Sequence, residues 1–332
     1  MGKQHPISFL KVLNWTEQEC RNYLAEHRWP SGPVCPKCGA GDAYTFTRNA
    51  ASKNAIRTLY KCRAKACKKQ FTVTVGTIFE DSHIPLNKWF AAIYLMNASK
   101  KGISAHQIHR QLDITYSAAW FMCHRVRHAM LDKSPLPLKG IVEADETYIY
   151  PKRRRGHPTW HENIKDEQEM GLRPTPKNLG PYAGKPMVFG ILERGGSVRT
   201  MVASEASAKA LQPLIRGFVD VPNTRLITDG NRAYKGIKKE MPHDVINHEE
   251  TYVVGDVHTQ NIDGYWSLLK RGLYGTFHHV DAQYLPNYLN EFEFRFNRRK
   301  MDDEPRFAAL MGQMQGRVTW FCEKPQQENR YA

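Results

Sequence analysis

Three aspartates in the second half of the sequence could form a carboxylate metal site. Asp145 lies in the middle of residues 141–150, a β-branched and aromatic stretch that is typical of a strand. Asp229 ends a second apolar run, and Asp263 lies near the start of a helical pattern over residues 259–273. A carboxylate in an apolar strand is costly unless a cation or a basic partner offsets the cost. We therefore expect the three carboxylates to meet around divalent metal.

The two elements around these aspartates carry further polar side chains. Alternation along the first strand puts Glu143, Asp145 and Thr147 on one face and Glu146 on the other. On the predicted helix, Lys270 follows Asp263 by seven residues and shares its side. Lys270 could therefore hold a phosphate beside the metal. An ordinary solvated helix face would show the same spacing, so this pair is informative only together with the upstream aspartates.

Four cysteines in the first quarter of the sequence have the spacing of zinc ligands. Two residues separate Cys35 from Cys38, and four separate Cys62 from Cys67. Two such pairs around a short β-like stretch supply the tetrahedral thiolate cage that Zn²⁺ prefers. The seven cysteines of the chain are an odd number, which favours metal over a disulfide framework. We predict a zinc ribbon with one structural ion, whose role is either DNA contact or structural support.

Composition indicates a polyanionic partner. The 332 residues are 41% hydrophobic, enough for a real core, and carry a formal net charge of +15. Nucleic acid is the simplest partner, although a protein that is merely basic and soluble is the alternative. No apolar run approaches the roughly 20 residues of a membrane span, and no signal-peptide core is visible. We expect a cytoplasmic, nucleoid-associated protein with no membrane partner.

The order of patterns predicts five segments. We assign residues 1–34 to an N-terminal helix, 35–80 to the zinc ribbon, 81–133 to a helix-turn-helix-like DNA-binding region, 140–300 to a catalytic domain and 301–332 to a C-terminal tail. A plain helical bundle linking two domains is the alternative for the third segment. From residue 141 the elements follow the order of the RNase H-like fold, an α/β fold with a mixed five-stranded sheet. In that layout the first and fourth strands are neighbours, as Asp145 and Asp229 would be.

Basic and polar side chains on several segments are candidates for nucleic-acid contact. They lie on the last helix of the DNA-binding region, in a basic loop over residues 151–185, on the helix of Asp263 and near the end of a later helix. Basic residues at a helix C-terminus are equally well explained by the helix dipole. The candidates are Tyr116, Ser117, His124, Arg125, Arg153, Arg154, Arg155, Arg271, Arg295 and Arg298.

The sequence resembles the zinc-ribbon-bearing branch of bacterial insertion-sequence transposases of the DDE type. The match rests on the four cysteines running into residues 71–79, on residues 142–148 and 227–230, and most specifically on residues 258–272. The resemblance implies an RNase H-like domain with two Mg²⁺ ions, or Mn²⁺, and recognition of the element's terminal inverted repeats. It also implies metal-dependent cleavage and strand transfer on double-stranded DNA, both element ends and target, by a homodimer or larger assembly.

One position departs from the family pattern. The family usually has Glu, and some members Asn, where this chain has Asp263. Aspartate is one methylene shorter but can still bind Mg²⁺, and Asn261 is an alternative third ligand. Two other functions stay open. One is a DNA-binding regulator with a decayed catalytic domain, and the other is a structure-specific Mg²⁺-dependent nuclease that cuts without joining.

Overall fold

The computed structural model describes residues 7–49, 56–149, 186–246, 253 and 255–318. The chain divides into two compact units. The first contains the described residues up to Met130 and those from Lys300 onwards, and the second lies within Leu131–Arg299. Among the helices of the described ranges, none has the length and apolar character needed to cross a membrane.

The first unit contains a small antiparallel sheet. Its strands are β1 (Ala43–Asn49), β2 (Ile56–Cys62) and β3 (Gln70–Phe71), in the order β1-β2-β3. The β-branched residues over 71–75 would suit a longer third strand, but β3 ends at Phe71 and the chain then turns. Thr77 Oγ1 donates to the Thr74 carbonyl at 2.6 Å, which is a turn contact and not a ladder contact.

Five helices precede residue 131 in the described part of this unit. Their bounds are α1 Phe9–Leu13, α2 Glu17–Arg28, α3 Leu86–Ala98, α4 Ala105–Leu112 and α5 Tyr116–Ala129. Helix α4 ends at Asp113, which has φ +48°, and Thr115 caps α5 through its side chain. The left-handed residue and the cap stop one helix and start the next within three residues. This is the helix-turn-helix connection expected for the region.

The second unit contains a mixed five-stranded sheet. Its strands are β4 (Leu138–Tyr148), β5 (Met187–Glu193), β6 (Val198–Ala203), β7 (Val219–Asp229) and β8 (His243–Ile246). The order is β6-β5-β4-β7-β8; the β6-β5-β4 part is antiparallel, and β4, β7 and β8 run parallel. This is the RNase H-like arrangement, so the predicted fold class is confirmed.

Helices cover both faces of this sheet. They are α6 (Ala208–Phe218), α7 (Gln260–Gly272) and α8 (Leu285–Asn297). One core contains Val142, Ala144 and Phe189 together with α6; the other contains Val188, Leu192 and the apolar sides of α7 and α8. Two 3-10 turns, Arg232–Tyr234 and Ile237–Lys239, follow Asp229. They are separated by Gly236, whose φ of +100° is left-handed.

The chain after residue 300 returns to the first unit. Helix α9 (Asp303–Met311) buries Phe307, whose ring lies 5.9 Å from Tyr23 and 6.2 Å from Phe90. Sequence alone places residues 301–332 in a C-terminal tail. The structure differs because Phe307, Leu310 and Met311 recur at helical spacing and form an apolar side that packs.

Candidate active site

Strand pairing brings Asp145 and Asp229 to adjacent positions. Strands β4 and β7 run parallel, and Ala144 pairs with Thr228. The next residues along the two strands are the two aspartates, and neighbouring strands lie about 4.8 Å apart. The sequence-based expectation that these strands are neighbours is therefore met.

A tryptophan on helix α7 holds Asp145. The indole Nε1 of Trp266 donates to Asp145 Oδ2 at 2.8 Å. Gly190 lies opposite Asp145 on β5, and a Cβ at that position would lie 2.6 Å from Cζ2 of the indole. The absence of a side chain at residue 190 thus lets the indole approach the sheet closely enough to reach Asp145.

A cavity of about 770 Å³ opens between this strand and α7. Carboxylates and cations face the same space, since Asp145, Asp263, Lys270 and Arg271 all line it. Asp229 is not among the lining residues. The others are Thr147, Trp266, Ser267, Tyr274 and Gly275.

The electrostatics of Asp145 fit a cation. Burial, and after it the nearby carboxylates of Glu146, Asp229 and Asp263, together raise the pKa of this carboxyl group to about 7, against the hydrogen bond from Trp266. An acid crowded by like charges is stabilised in its ionised form by a positive ion. The carboxylates of this site supply hard oxygen atoms, the ligands that Mg²⁺ and Mn²⁺ prefer.

The three aspartates are less tightly grouped than the four cysteines. In the described part of the chain, Cys35, Cys38, Cys62 and Cys67 form the one group of three or more His, Cys, Asp or Glu residues whose ligand atoms all lie within 4.8 Å of one another. The aspartates as a set do not meet that distance. The three aspartates therefore lack the close grouping that the four cysteines show.

Glu143 makes hydrogen bonds that the sequence does not reveal. It is fully buried, and it accepts hydrogen bonds from the backbone N–H groups of Asn261 and Ile262, each at 3.0 Å. Its other oxygen accepts from Asn261 Nδ2 at 2.8 Å and from Arg194 Nε at 2.6 Å. The side chain of Asn261, the alternative third ligand, is thus bound to Glu143.

Glu146 faces the opposite side of β4 and binds the chain after β7. It accepts hydrogen bonds from Asn231 Nδ2 and from the Tyr234 hydroxyl. The backbone N–H of Asn231 in turn donates to Asp229 Oδ1 at 3.0 Å. Burial raises the pKa of Glu146, and the hydrogen bonds from Tyr234 and Asn231 oppose the rise. The sequence shows that acidic residues cluster on β4, but it does not show the hydrogen-bond partners of Glu146.

The zinc site has the geometry of a preformed thiolate cage. Sγ of Cys35 lies 3.8 Å from Sγ of Cys67, and Sγ of Cys38 lies 3.6 Å from that of Cys62. Four sulfur atoms at about 2.3 Å from a tetrahedral Zn²⁺ are about 3.8 Å apart, so the cluster fits the ion. Burial opposes ionisation of the Cys35 thiol, but hydrogen bonds from the N–H groups of Lys37 and Cys38 and from the thiols of Cys38 and Cys67 outweigh it and lower its pKa to about 7.

Three of the predicted nucleic-acid residues are buried, which corrects their assignment. His124 is 1% exposed, and burial lowers its pKa to about 2. Arg125 donates to the carbonyl groups of Ile78 and Glu80 at 2.7 and 2.9 Å. Arg295 is 6% exposed and pairs with Glu291 one turn earlier. Helical spacing shows which residues share a side but not that this side of α5 or α8 faces the core.

Other predicted contacts lie at the surface. Tyr116, Ser117 and Arg271 are exposed, and Arg298 is partly buried with its guanidinium 4.1 Å from the ring centre of Phe294. Arg153, Arg154 and Arg155 lie outside the described residues. Two further exposed side chains lie on α4: the ring of His106, in the first turn, stacks on Tyr116 with ring centroids 4.2 Å apart, and Arg110 is exposed in the last turn.

Comparisons with known proteins match both units. Residues 137–297 match a family described as the ISXO2-like transposase domain, and residues 15–70 match the transposase zinc-ribbon domain. An uncharacterized protein in transposable element ISH50 of Halobacterium salinarum is 28% identical over 303 residues, which cover 89% of this chain and 95% of that protein. No solved structure matches.

Proposed function

We propose that this chain binds the terminal inverted repeats of its own element and catalyses metal-dependent strand cleavage and strand transfer there. The proposal starts from its family, since the chain belongs to the zinc-ribbon-bearing branch of DDE-type insertion-sequence transposases. The observation that carries the proposal is the shared cavity of Asp145, Asp263 and Lys270, with Asp229 on the adjacent strand. Phosphodiester chemistry needs carboxylates for metal and a cation for phosphate, and both line one space.

Asp145, Asp229 and Asp263 are the proposed ligands of two Mg²⁺ or Mn²⁺ ions. Asp145 neighbours Asp229 on the adjacent strand and Asp263 across the cavity, so Asp145 is the carboxylate that two ions can share. Bound ions would supply activation of the attacking water and stabilisation of the leaving 3′ oxygen. Asp263 is preferred over Asn261 because Asp263 lines the cavity, whereas Asn261 is not a lining residue and directs its N–H₂ group to Glu143.

The remaining side chains orient the reactants. Trp266 would fix the orientation of the Asp145 carboxylate, because its indole N–H donates to Oδ2. Lys270 and Arg271 would bind phosphate oxygens next to the scissile bond, where their charge offsets that of the DNA backbone. The freed 3′-OH would attack target DNA in the same cavity, so no covalent enzyme–DNA intermediate is needed.

The first unit would recognise the element ends. The zinc ribbon is held by its four cysteines, and the exposed start of α5 presents Tyr116 and Ser117. Because two ends must be brought together, the active form would be a homodimer or larger. A prokaryotic protein that acts on chromosomal DNA would work in the cytoplasm, at the nucleoid.

The test is a cleavage and joining assay with Mg²⁺ on DNA that carries the repeats flanking the gene. Nicks at the repeat ends together with joined products support the transposase. Nicks without joining would indicate a nuclease, and binding without nicks would indicate a regulator. Asp145→Ala should abolish cleavage and spare end binding. Asp220→Ala, at the opposite end of β7 from Asp229, is the matched control and should cut normally.

A further inference from the structure

We propose that Glu143 and Glu146 are positioning residues, each of which fixes the segment that carries one of the other two aspartates. The inference rests on the proposed use of the three aspartates as metal ligands. Strand β4 would then carry one ligand, Asp145, and two carboxylates that place its partners: Glu143 for Asp263 on α7, and Glu146 for Asp229 at the end of β7.

Glu143 supplies the cap that α7 lacks locally. The residue at the N-cap is Thr259, and its side chain makes no capping bond. One oxygen of Glu143 instead accepts the N–H groups of Asn261 and Ile262, the second and third residues of the helix. Helix N-termini leave such N–H groups without intrahelical partners and carry a partial positive charge. A buried carboxylate from another element thus sets the position of the first turn, which contains Asp263.

Arg194 extends this contact to the chain that precedes α7. Its Nε donates to Glu143, while its two terminal nitrogens donate to the carbonyl groups of Asp256 and His258 at 2.7 and 2.8 Å. Arg225 also pairs with the Asp256 carboxylate. The approach to the helix and its first turn are therefore held through the same buried acid.

Glu146 performs the equivalent task at Asp229. One of its oxygens accepts from Asn231 and the other from Tyr234, which is 1% exposed. The N–H of Asn231 binds Asp229 Oδ1, and the Asn231 Oδ1 accepts from the N–H of Ala233 at 2.9 Å. Because both carboxylate oxygens of Glu146 are engaged by the loop, the residue acts on the site through Asn231.

Partners that orient metal ligands typically change metal affinity by about 10–100-fold when they are removed. Glutamine keeps the shape of each glutamate but removes its charge and presents N–H₂ where a donor already points. We therefore expect Glu143→Gln and Glu146→Gln to raise the dissociation constant for Mn²⁺ about 10–100-fold. Cleavage should fall most at limiting metal and recover in part at saturating metal, whereas binding to the element ends stays unchanged.

The experiment measures Mn²⁺ binding to the full zinc-loaded chain by electron paramagnetic resonance, with cleavage followed in parallel as metal is titrated. Glu240→Gln is the matched control, because Glu240 forms an exposed ion pair with Arg216 and should leave Mn²⁺ binding unchanged. Tyr234→Phe deletes only the hydroxyl that binds Glu146, so it tests the same contact if a glutamine variant fails to fold. It should weaken Mn²⁺ binding by a smaller factor than Glu146→Gln.

Unchanged Mn²⁺ affinity in the folded Gln and Phe variants would overturn the inference. Loss of Mn²⁺ in Glu146→Gln as complete as in Asp145→Ala would also overturn it, because Glu146 would then be a ligand. If the wild-type protein binds no Mn²⁺, or if Asp145→Ala leaves its Mn²⁺ affinity unchanged, both this inference and the proposed metal site are overturned. Wild-type protein that binds Mn²⁺ but does not cut would contradict the proposed function alone, and the affinities would still decide the roles of Glu143 and Glu146.

Discussion

The indole N–H of Trp266 donates a 2.8 Å hydrogen bond to Asp145 Oδ2, which joins helix α7 directly to the first strand of the five-stranded sheet. The indole reaches that carboxylate over Gly190, the residue that pairs with Asp145 on β5. Three residues from three elements therefore decide where one carboxylate points. Because of this contact, an uncharged substitution at Gly190 should disturb the site.

Gly190→Ala should destabilise the second unit and reduce cleavage. The added Cβ would lie 2.6 Å from the indole Cζ2, so the indole or the strand must move. Overpacking of this kind costs about 1–3 kcal/mol. Denaturant unfolding and the cleavage assay measure the two effects. Gly217→Ala is the control: its Cβ would meet nothing within 4 Å on helix α6, so it should stabilise by up to about 1 kcal/mol. Equal behaviour of the two variants would contradict the packing argument.

Asp263→Ala should abolish cleavage, whereas Asp263→Glu should retain it, because glutamate keeps the carboxylate that the family usually has there. Asn261→Ala should keep most of the activity, since its amide binds Glu143 and does not line the cavity. Cleavage by the three variants at saturating Mg²⁺ is the measurement. If Asn261→Ala were inactive and Asp263→Ala active, Asn261 and not Asp263 would be the third metal ligand.

Cys35→Ser should release zinc and unfold the ribbon, because one of four thiolate ligands is lost. Zinc content by atomic absorption and far-UV circular dichroism check the outcome, and end binding should weaken with it. Cys123→Ala is the control, since Cys123 is buried in α5 away from the four-cysteine group. A Cys35→Ser protein with full zinc content would count against the cage.

His124 should make the first unit sensitive to acid. Burial lowers its pKa to about 2, so the folded protein keeps it neutral while the unfolded chain takes up a proton below about pH 6.5. The contribution of His124 to the unfolding free energy is therefore complete above about pH 6.5. Below that pH the unfolding free energy falls by up to about 1.4 kcal/mol per pH unit. Denaturant unfolding between about pH 6.5 and 5.5 should show a shallower fall for His124→Leu than for the exposed-site control His83→Gln. Equal slopes would argue against a buried neutral imidazole.

Arg110→Ala and Arg125→Ala should separate DNA contact from folding. Arg110 is exposed, so its loss should weaken DNA binding and reduce the slope of log affinity against log salt by about one. Arg125 is buried on carbonyl groups, so its loss should lower the unfolding free energy by about 1–3 kcal/mol. Filter binding at several salt concentrations and denaturant unfolding give the two values. If the DNA affinity of the wild-type protein does not depend on salt concentration, the protein does not bind DNA through charge.

The sequence by itself determined the zinc ribbon, the RNase H-like order of elements and the placement of Asp145 beside Asp229. The ribbon and the order of elements follow from local spacing, since cysteine pairs and apolar alternation can be recognised without distant partners. The placement of Asp145 beside Asp229 follows from the RNase H-like layout, in which the first and fourth strands are neighbours. Residues 137–297 and 15–70, which match transposase families, contain these same motifs.

The tertiary structure alone decided which polar side chains face the core and what they hold. His124, Arg125 and Arg295 share helices with surface residues, and only packing shows that they are buried. The backbone N–H groups that bind Glu143 belong to Asn261 and Ile262, which lie 118 and 119 residues further along the chain, at the start of α7. Spacing along a chain carries no information about such contacts, because they form only when the sheet and helix have come together.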